Sequence, residues 1–284
     1  MSGGLIGVTG ATGQLGGRVA RRLAAGGAQQ RLVVRDATRA PDLPGADVRT
    51  ATYADADALQ HAFEGVDVLL LVSASEDADR VAQHRTAVEA AVAAGVRRVV
   101  YTSFLGAAED CTFTFGRDHA ATERALERSG LEWTVLRNSF YLDVVPDFVV
   151  DGALRGPAGA GRVGAVARED AADVALAALL DEAHSGRTYD VTGPEAFTFA
   201  EAAAELSRAT GEPVGYVDET LEQAYASREG FGAPRWMVDG WVSTYRAIAV
   251  GELDVVSDTV PRLTGHPATG LRAFLAARTA GTTG

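Results

Sequence analysis

Three glycines spaced three residues apart, Gly10, Gly13 and Gly16, are the strongest chemical signal in this chain of 284 residues. They follow the apolar run Leu5–Val8 and open a helical pattern expected at Leu15–Ala25. The first glycine allows a tight, left-handed turn, the second lets a phosphate approach the backbone, and the third lets the helix lie close to the strand. The N–H groups that begin such a helix attract an anion. The pattern predicts a pyrophosphate site and hence dinucleotide binding.

An arginine stands where the ribose of a dinucleotide would be recognised, at the end of the second predicted strand. Folds that select NAD usually place an acidic residue there, about 20 residues past the glycines. In this chain Val34 is followed by Arg35 and only then by Asp36. A guanidinium can bind a phosphate through two hydrogen bonds and stack on an adenine. We therefore expect NADP(H) rather than NAD(H); the competing interpretation is a solvated arginine paired with Asp36.

All 26 basic residues are arginine, so the chain contains no lysine. This excludes a Walker-type phosphate lysine, Schiff-base chemistry and a catalytic Tyr–Lys pair. The formal net charge of −12 argues against a nucleic-acid partner. The single cysteine, Cys111, excludes internal disulfides and predicts a reducing, cytoplasmic location. No apolar run is long enough for a membrane span, and a strand is expected where a signal peptide would lie.

These residues need a parallel sheet whose strand ends meet at one edge. Apolar runs alternate with alanine-rich helical patterns, which predicts a Rossmann-like, doubly wound α/β fold with helices on both faces. The strands are expected at Leu5–Val8, Arg31–Val34, Val48–Thr50, Val66–Val72, Val96–Thr102 and Leu131–Leu136. The helices between them are expected at Leu15–Ala25, Ala56–Phe63, Ala78–Ala94 and Arg117–Ser129. Right-handed crossovers then place the site at the carboxyl edge of the sheet.

The pattern loosens after residue 140. We predict an NADP-binding core at 1–140 and a smaller, mixed substrate-binding lobe at 141–284, interleaved with the core as one structural unit. A helix is expected at Tyr141–Val150, then a glycine-rich loop with a short strand at Gly152–Gly164. Later helices are expected at Asp170–Leu180, Phe199–Thr210, Leu221–Glu229, Pro234–Gly251 and Leu271–Ala277. Short strands that extend the sheet are expected at Thr188–Val191 and Val214–Val217.

Small and polar residues follow two further predicted strands. The fourth strand ends at Ser73, Ala74 and Ser75, which leave room for a ribose and a pyrophosphate. The fifth ends at Thr102 and Ser103, from which side chains would approach a nicotinamide.

The sixth predicted strand ends in polar and aromatic residues that could flank a nicotinamide ring. These include Asn138, Phe140 and Tyr141. The two aromatic residues are equally compatible with a place in the core. For Trp236 and Trp241, packing between helices is favoured over a place in a pocket.

Several segments together resemble the NmrA-like group of atypical short-chain dehydrogenases, and in particular its bacterial NADPH:quinone oxidoreductases, which need no flavin. The segments are VTGATGQLGG, VVRD, AAGVRRVVYTS, DHAATERALERSG, TVLRN and RLTGHPATGL. The resemblance implies that the pyrophosphate is wrapped by Gly10, Ala11, Thr12, Gly13, Gln14 and Leu15. It also implies that Arg35 binds the 2′-phosphate, that Ser73–Ser75 line the cofactor and that Asn138–Leu142 border the nicotinamide and substrate.

The chain departs from ordinary short-chain dehydrogenases at their catalytic Tyr and Lys. The equivalent positions are Phe115 and His119, and a phenylalanine has no proton to donate to a carbonyl oxygen. Quinone reduction by hydride transfer demands less, because aromaticity stabilises the product and proximity contributes most of the catalysis. Water or His119 would supply the proton, or His119 would hold the nicotinamide ribose; the alternative is a plain helix histidine. Asn138 and Tyr141 are the other catalytic candidates.

We therefore expect an NADPH-dependent oxidoreductase that transfers hydride to a quinone or a similar electron-poor carbonyl or enone compound. Two alternatives remain open: an NmrA-type redox sensor that binds NADP(H) without turnover, and a tailoring reductase of secondary metabolism with its own proton relay. The expected partner is a small-molecule substrate, without nucleic acid or membrane, and a homodimer is one option for the assembly. The histidines His61, His84 and His184 lack the spacing of metal ligands, so no metal site is expected.

Overall fold

The structure, a computed structural model, describes residues 4–282 and has the doubly wound α/β fold predicted from the sequence. Its strands are β1 (Leu5–Thr9), β2 (Gln30–Val34), β3 (Ala46–Thr50), β4 (Val66–Leu71), β5 (Arg98–Phe104), β6 (Glu132–Asn138), β7 (Ala153–Gly156), β8 (Arg162–Val163), β9 (Arg187–Val191), β10 (Phe197–Thr198) and β11 (Gly215–Asp218). Its helices are α1 (Gln14–Ala25), α2 (Ala56–Phe63), α3 (Arg80–Ala93), α4 (Thr114–Arg128), α5 (Arg168–Leu180), α6 (Phe199–Thr210), α7 (Leu221–Ala226), α8 (Arg235–Ala249), α9 (Thr259–Thr264) and α10 (Leu271–Thr282).

The main sheet has seven strands in the order β3-β2-β1-β4-β5-β6-β9. Strand β1 pairs in parallel with β2 and β4, β2 with β3, and β4 with β5. The strand order therefore reverses between β1 and β4. In open parallel sheets, the crevice at the carboxyl ends of such a strand pair is where ligands bind.

The chain forms two compact units. Unit 1 comprises residues 4–103, 118–137 and 171–189, and unit 2 comprises residues 104–117, 138–170 and 190–282. Neither unit is one continuous segment, because the chain passes from one to the other repeatedly. The predicted division near residue 140 into a core and a lobe stays a prediction.

A buried apolar cluster holds unit 1 together on one side of its sheet. Among its fully buried members are Phe63 on α2, Leu69 and Leu71 on β4, and Leu126 on α4. Burying a side chain of this size contributes roughly 1.5–3 kcal/mol. The strands that end at the crevice are therefore fixed by the packing of helices α2 to α4 beneath them.

Two predictions for unit 2 are wrong. Residues 141–150 form two 3₁₀ turns, Leu142–Val144 and Pro146–Phe148, instead of a helix. Pro146 lacks the N–H that would bond the Leu142 carbonyl in a helix, and its ring would clash with that carbonyl. The segment expected at Val214–Val217 does not extend the main sheet, because β11 pairs with β7 in a sheet of two strands. Strand β11 is largely exposed, unlike the continuous apolar strands of a covered parallel sheet.

The short elements of unit 2 also differ in number from the prediction. The glycine-rich segment carries two strands, β7 and β8, where one was expected, and β10 and α9 were not predicted. Strand β9 does join the main sheet as expected. Within residues 4–282, no helix combines the length and the apolar character that crossing a membrane requires.

Candidate functional site

The glycine turn joins β1 to α1 through backbone contacts that a side chain would block. Gly10 has a φ of +63°, in the left-handed region that favours glycine. Its carbonyl oxygen accepts the N–H of Gly13 at 2.8 Å. A Cβ on Gly16 would lie 2.5 Å from the Gly10 carbonyl oxygen and 2.8 Å from that of Thr9. The tight turn and the close approach of helix to strand are therefore as predicted.

The start of α1 offers its N–H groups to a ligand. The N-cap residue is Gly13, which has no side chain to accept from them. The first N–H groups of a helix have no partner within the helix and carry a partial positive charge. Gln14 does not compensate, since its side-chain oxygen accepts from Arg18 at 2.8 Å. An anion is the ligand that this helix start suits.

A cavity of about 480 Å³ lies beside this turn, within unit 1. It opens at the carboxyl ends of β1, β2, β3 and β4. The predicted cofactor residues that line it are Gly10, Thr12, Gly13, Gln14, Leu15, Arg35, Ser73, Ala74 and Ser75. The lining residues that no sequence motif indicated include Thr52, Tyr53, Ala54, Glu76, Asp77 and Gln83.

Arg35 is exposed at the cavity. Its side chain forms no hydrogen bond or ion pair with the residues that the structure describes. The competing pairing with Asp36 is not formed, because Asp36 Oδ1 accepts the N–H of Thr38 at 2.9 Å and its hydroxyl at 2.6 Å. These bonds hold the pKa of Asp36 below its usual value. The guanidinium is therefore available to a phosphate.

Tyr53 forms part of the cavity wall and links three strand ends. Its hydroxyl lies 2.5 Å from Thr9 Oγ1 and 2.6 Å from the Val72 carbonyl oxygen. Burial raises the pKa of this phenol well above its usual value. The loop after β3 matches no motif, so the only signal for Tyr53 was an aromatic residue just past a strand end.

Six predicted cofactor residues are not among the described residues that line the cavity: Ala11, Thr102, Ser103, His119, Asn138 and Phe140. Thr102 Oγ1 accepts the N–H of Ser73 at 2.9 Å. The Ser103 hydroxyl donates to Glu123 at 2.5 Å. The side chains of Thr102 and Ser103 are thus engaged with protein groups inside unit 1, and their contact with a cofactor stays a prediction.

His119 is a buried, neutral residue of unit 1. Its Nε2 lies 3.0 Å from Arg80 Nη2, and its Nδ1 lies 2.9 Å from the Tyr101 hydroxyl. Arginine only donates, so Nε2 is the acceptor and Nδ1 carries the proton. Burial, and next the charge of Arg80, hold the pKa of His119 well below its usual value. His119 is thus hydrogen-bonded on both ring nitrogens within unit 1, and its role as proton donor or as a contact of the nicotinamide ribose stays a prediction.

Asn138 and Tyr141 lie together in unit 2. Asn138 Nδ2 donates to the Tyr141 hydroxyl at 3.1 Å, while its buried Oδ1 has no partner among residues 4–282. The Arg168 guanidinium lies 4.8 Å from the centre of the Tyr141 ring. Burial raises the pKa of Tyr141 to about 12, against opposing effects of Asn138 and Arg168. The hydroxyl accepts from Asn138, so it keeps its own proton for a further acceptor.

The other aromatic candidates pack inside unit 2. Phe140 packs against the core cluster of that unit and lies 5.7 Å from Phe148, centre to centre. Phe115 packs directly against Gly240, since a Cβ on Gly240 would lie 2.3 Å from the Phe115 ring. The ring centres of Trp236 on α8 and Phe115 on α4 lie 6.1 Å apart. Trp236 therefore packs between helices, as the sequence favoured. The contact of Phe140 with a cofactor stays a prediction.

Comparison with known proteins gives consistent results. A family described as NAD(P)H-binding matches residues 10–182. Quinone oxidoreductase 2 of Escherichia coli is 35% identical over 94% of this chain and 96% of its own length. The crystal structure of that protein with NADPH covers 98% of this chain and 100% of its own, with a TM-score of 0.88. The NAD(P)H azoreductase of Xenophilus azovorans is 34% identical over 97% of this chain and 98% of its own length.

The fold is also that of NmrA, a negative transcriptional regulator, in its complex with NADP. That structure covers 99% of this chain and 97% of its own, with a TM-score of 0.78 and 17% identity. At this identity the likeness shows the fold alone.

Proposed function

This chain belongs to the NAD(P)H-binding oxidoreductases related to quinone oxidoreductase 2, and on that premise we propose that it reduces quinones with NADPH. Similar electron-poor carbonyl and enone compounds belong to the same proposed substrate class. The observation that carries the proposal is the likeness, over nearly the whole chain, to a reductase whose structure holds NADPH. The cytoplasmic location and the homodimer stay predictions.

The geometry of unit 1 fits NADP(H). The uncapped start of α1 at Gly13 suits a diphosphate, and the cradle beneath it closes only because Gly16 has no Cβ. Arg35 suits the 2′-phosphate, since its guanidinium has no partner among the described residues. When bound, the cofactor supplies the hydride. The residues of this chain orient it and exclude water from it.

We assign proton donation to Tyr141, with Asn138 as the residue that positions its hydroxyl. Ordinary members of the wider superfamily pair their tyrosine with a lysine, which this chain does not contain. A pKa of about 12 keeps the Tyr141 hydroxyl protonated at neutral pH. A quinone needs no protonation before it accepts hydride, because its product is stabilised by aromaticity. As charge builds on the quinone oxygen during hydride transfer, the Tyr141 hydroxyl donates its proton to that oxygen, and solvent then returns a proton to Tyr141.

The direct test is NADPH oxidation by the purified chain without added flavin. The acceptors are a benzoquinone, a naphthoquinone, an azo dye, an enone and an aldehyde. We expect the quinones to be reduced fastest and the aldehyde not at all. Reduction of the azo dye would extend the substrate class toward that of the azoreductase relative. Tight NADP(H) binding without turnover of any acceptor would contradict the proposal and favour the redox sensor.

The role of Tyr141 is tested by Tyr141→Phe. We expect kcat to fall by about a hundredfold, the lower end for loss of a general acid, with the NADPH Kd unchanged. Tyr225→Phe is the matched control, because it removes another phenol of unit 2, which donates to Asp239. An unchanged kcat in Tyr141→Phe would indicate that water, and not Tyr141, supplies the proton.

A further inference from the structure

The segment that follows β4, residues 72–75, is held by side chains from three other elements; we call it the exit segment. Its first three N–H groups donate to Thr9 Oγ1 on β1, Thr102 Oγ1 on β5 and His84 Nε2 on α3. The donor–acceptor distances are 2.9, 2.9 and 2.8 Å. A loop usually leaves such groups to water. Here they are tied to the protein, so the position of this wall of the cavity depends on those three side chains.

Ala74 is held from both sides by α3. Its N–H donates to His84 Nε2, and its carbonyl oxygen accepts from Arg80 Nε at 3.0 Å. Both side chains are buried, with 0% of His84 and 5% of Arg80 exposed. Neither is among the described residues that line the cavity. They therefore contact the exit segment without lining the cavity themselves.

The surroundings of His84 fix which of its nitrogens faces Ala74. Its Nδ1 lies 2.8 Å from Thr122 Oγ1, and that hydroxyl donates to the Asp118 carbonyl oxygen at 2.9 Å. Nδ1 therefore carries the proton, and Nε2 is left as the acceptor. Burial, with the charge of Arg80, lowers the pKa of His84 to about 3. The acceptor therefore faces Ala74 throughout the physiological pH range.

Arg80 is fixed in the same way. Its guanidinium donates to His119 Nε2 at 3.0 Å and lies 3.5 Å from Asp118. Asp118 and His119 both lie on α4, so α3 and α4 are joined behind the exit segment. Buried groups that are hydrogen-bonded on all sides keep one geometry, because any other leaves a polar group unsatisfied.

We infer that His84 and Arg80 are positioning residues for the cofactor: they hold Ser73, Ala74 and Ser75 where the ribose and diphosphate of NADPH would lie. This inference rests on the proposed function. Without the acceptor at His84, the half-buried Ala74 N–H would lose its partner in the protein, and the exit segment would move to find another. Binding of NADPH would weaken, while the chemistry of bound NADPH would not change.

The test compares His84→Leu with His84→Gln, whose side-chain oxygen can still accept from Ala74. Tyr101→Phe is the control: it removes a buried hydroxyl of the same cluster that lies 2.9 Å from His119 Nδ1 and 3.5 Å from His84 Nδ1 but forms no hydrogen bond with the exit segment among the described residues. Three quantities are measured: hydrogen exchange of the Ala74 amide in the cofactor-free protein, the NADPH Kd, and kcat at saturating NADPH.

For His84→Leu we expect faster exchange of the Ala74 amide, a Kd raised about tenfold, and a kcat within about twofold of the wild type. His84→Gln should restore both exchange and Kd, and Tyr101→Phe should alter neither. Arg80→Met removes the bond to the Ala74 carbonyl and should also speed exchange of the Ala74 amide and raise the Kd. It replaces His84→Leu in the test if that variant does not fold. An unchanged Kd in a folded His84→Leu or Arg80→Met would overturn the inference, whereas a wild type that fails to bind NADPH would overturn the proposed function itself.

Discussion

Arg35 reaches the cavity of unit 1 without an ion pair among the described residues, while Asp36 beside it is occupied by Thr38. A guanidinium that is already paired would have to break that pair before it could bind a phosphate. Arg35 has no such pair to break. Its full interaction with a 2′-phosphate is therefore available to distinguish NADPH from NADH.

Arg35→Ala should raise the Kd of NADPH by about 10- to 100-fold, the value of a charge-assisted hydrogen bond, and leave that of NADH within about twofold. Fluorescence titration with both cofactors measures this. Arg39→Ala is the control, since it removes an equal charge from an exposed residue outside the cavity lining described above. An equal loss in both variants would mean that only the overall charge matters.

At the scale of elements, the contact between α1 and β1 depends on the absence of one Cβ. Gly16→Ala would place that atom 2.5 Å from the Gly10 carbonyl oxygen, which is backbone and cannot rotate away. We expect a loss of stability of about 1–3 kcal/mol, as for overpacked sites, together with weaker NADPH binding. A Cβ on Gly26, at the other end of the helix, would meet only carbonyl oxygens at 3.6 Å. Gly26→Ala should therefore change the free energy of unfolding very little. Equal unfolding free energies for the two variants would contradict this account.

The carboxyl end of α5 is capped by a buried arginine. Arg98 is 1% exposed, and its guanidinium donates to the carbonyls of Ala178, at 2.6 Å, and Leu179, at 2.7 Å. Arg98→Met would leave these buried carbonyls without a donor, which should cost about 2–4 kcal/mol in the free energy of unfolding. Arg97→Met, which removes partly exposed ion pairs such as that with Asp67, should cost less than about 1 kcal/mol. Urea unfolding of both variants measures these losses in the free energy of unfolding. Equal losses would exclude the capping role of Arg98.

The elements that carry a local pattern could be predicted from the sequence. The bounds of α2 and α6 agree with the prediction, and those of β1 and α1 differ by one residue. Apolar spacing alone predicted a helix at residues 141–150. Pro146 prevents that helix, because it lacks the N–H that a helix would use at this position. No local pattern indicated the roles of Tyr53 and His84 either. Their roles depend on partners brought close only by the fold, Thr9 and Ala74.

At the scale of the whole molecule, two neutral buried histidines make the stability of the fold depend on pH. The pKa of His84 is lowered to about 3 and that of His119 is well below its usual value, in both cases chiefly by burial. In the unfolded chain both titrate near about 6.5, so the unfolded state binds more protons below that pH. The free energy of unfolding should therefore fall as the pH decreases below about 6.5, by up to about 1.4 kcal/mol per pH unit for each histidine.

Urea unfolding between about pH 7 and pH 5 measures this slope where few carboxylates titrate. His84→Gln should make the slope shallower by the contribution of one histidine. His61→Gln, which alters an exposed histidine bonded to the Asp57 carbonyl, should leave it nearly unchanged. A slope that is the same in His84→Gln and the wild type would contradict the neutral state assigned to His84.

We propose that the cavity beside the glycine turn is an NADP(H) site. Calorimetric titration of the unmodified protein with NADPH and with NADH tests it most directly. We expect one NADPH per chain, with a Kd at least about tenfold lower than that of NADH, because only NADPH carries the phosphate that suits Arg35. No detectable binding of either cofactor, or equal affinity for both, would contradict the claim.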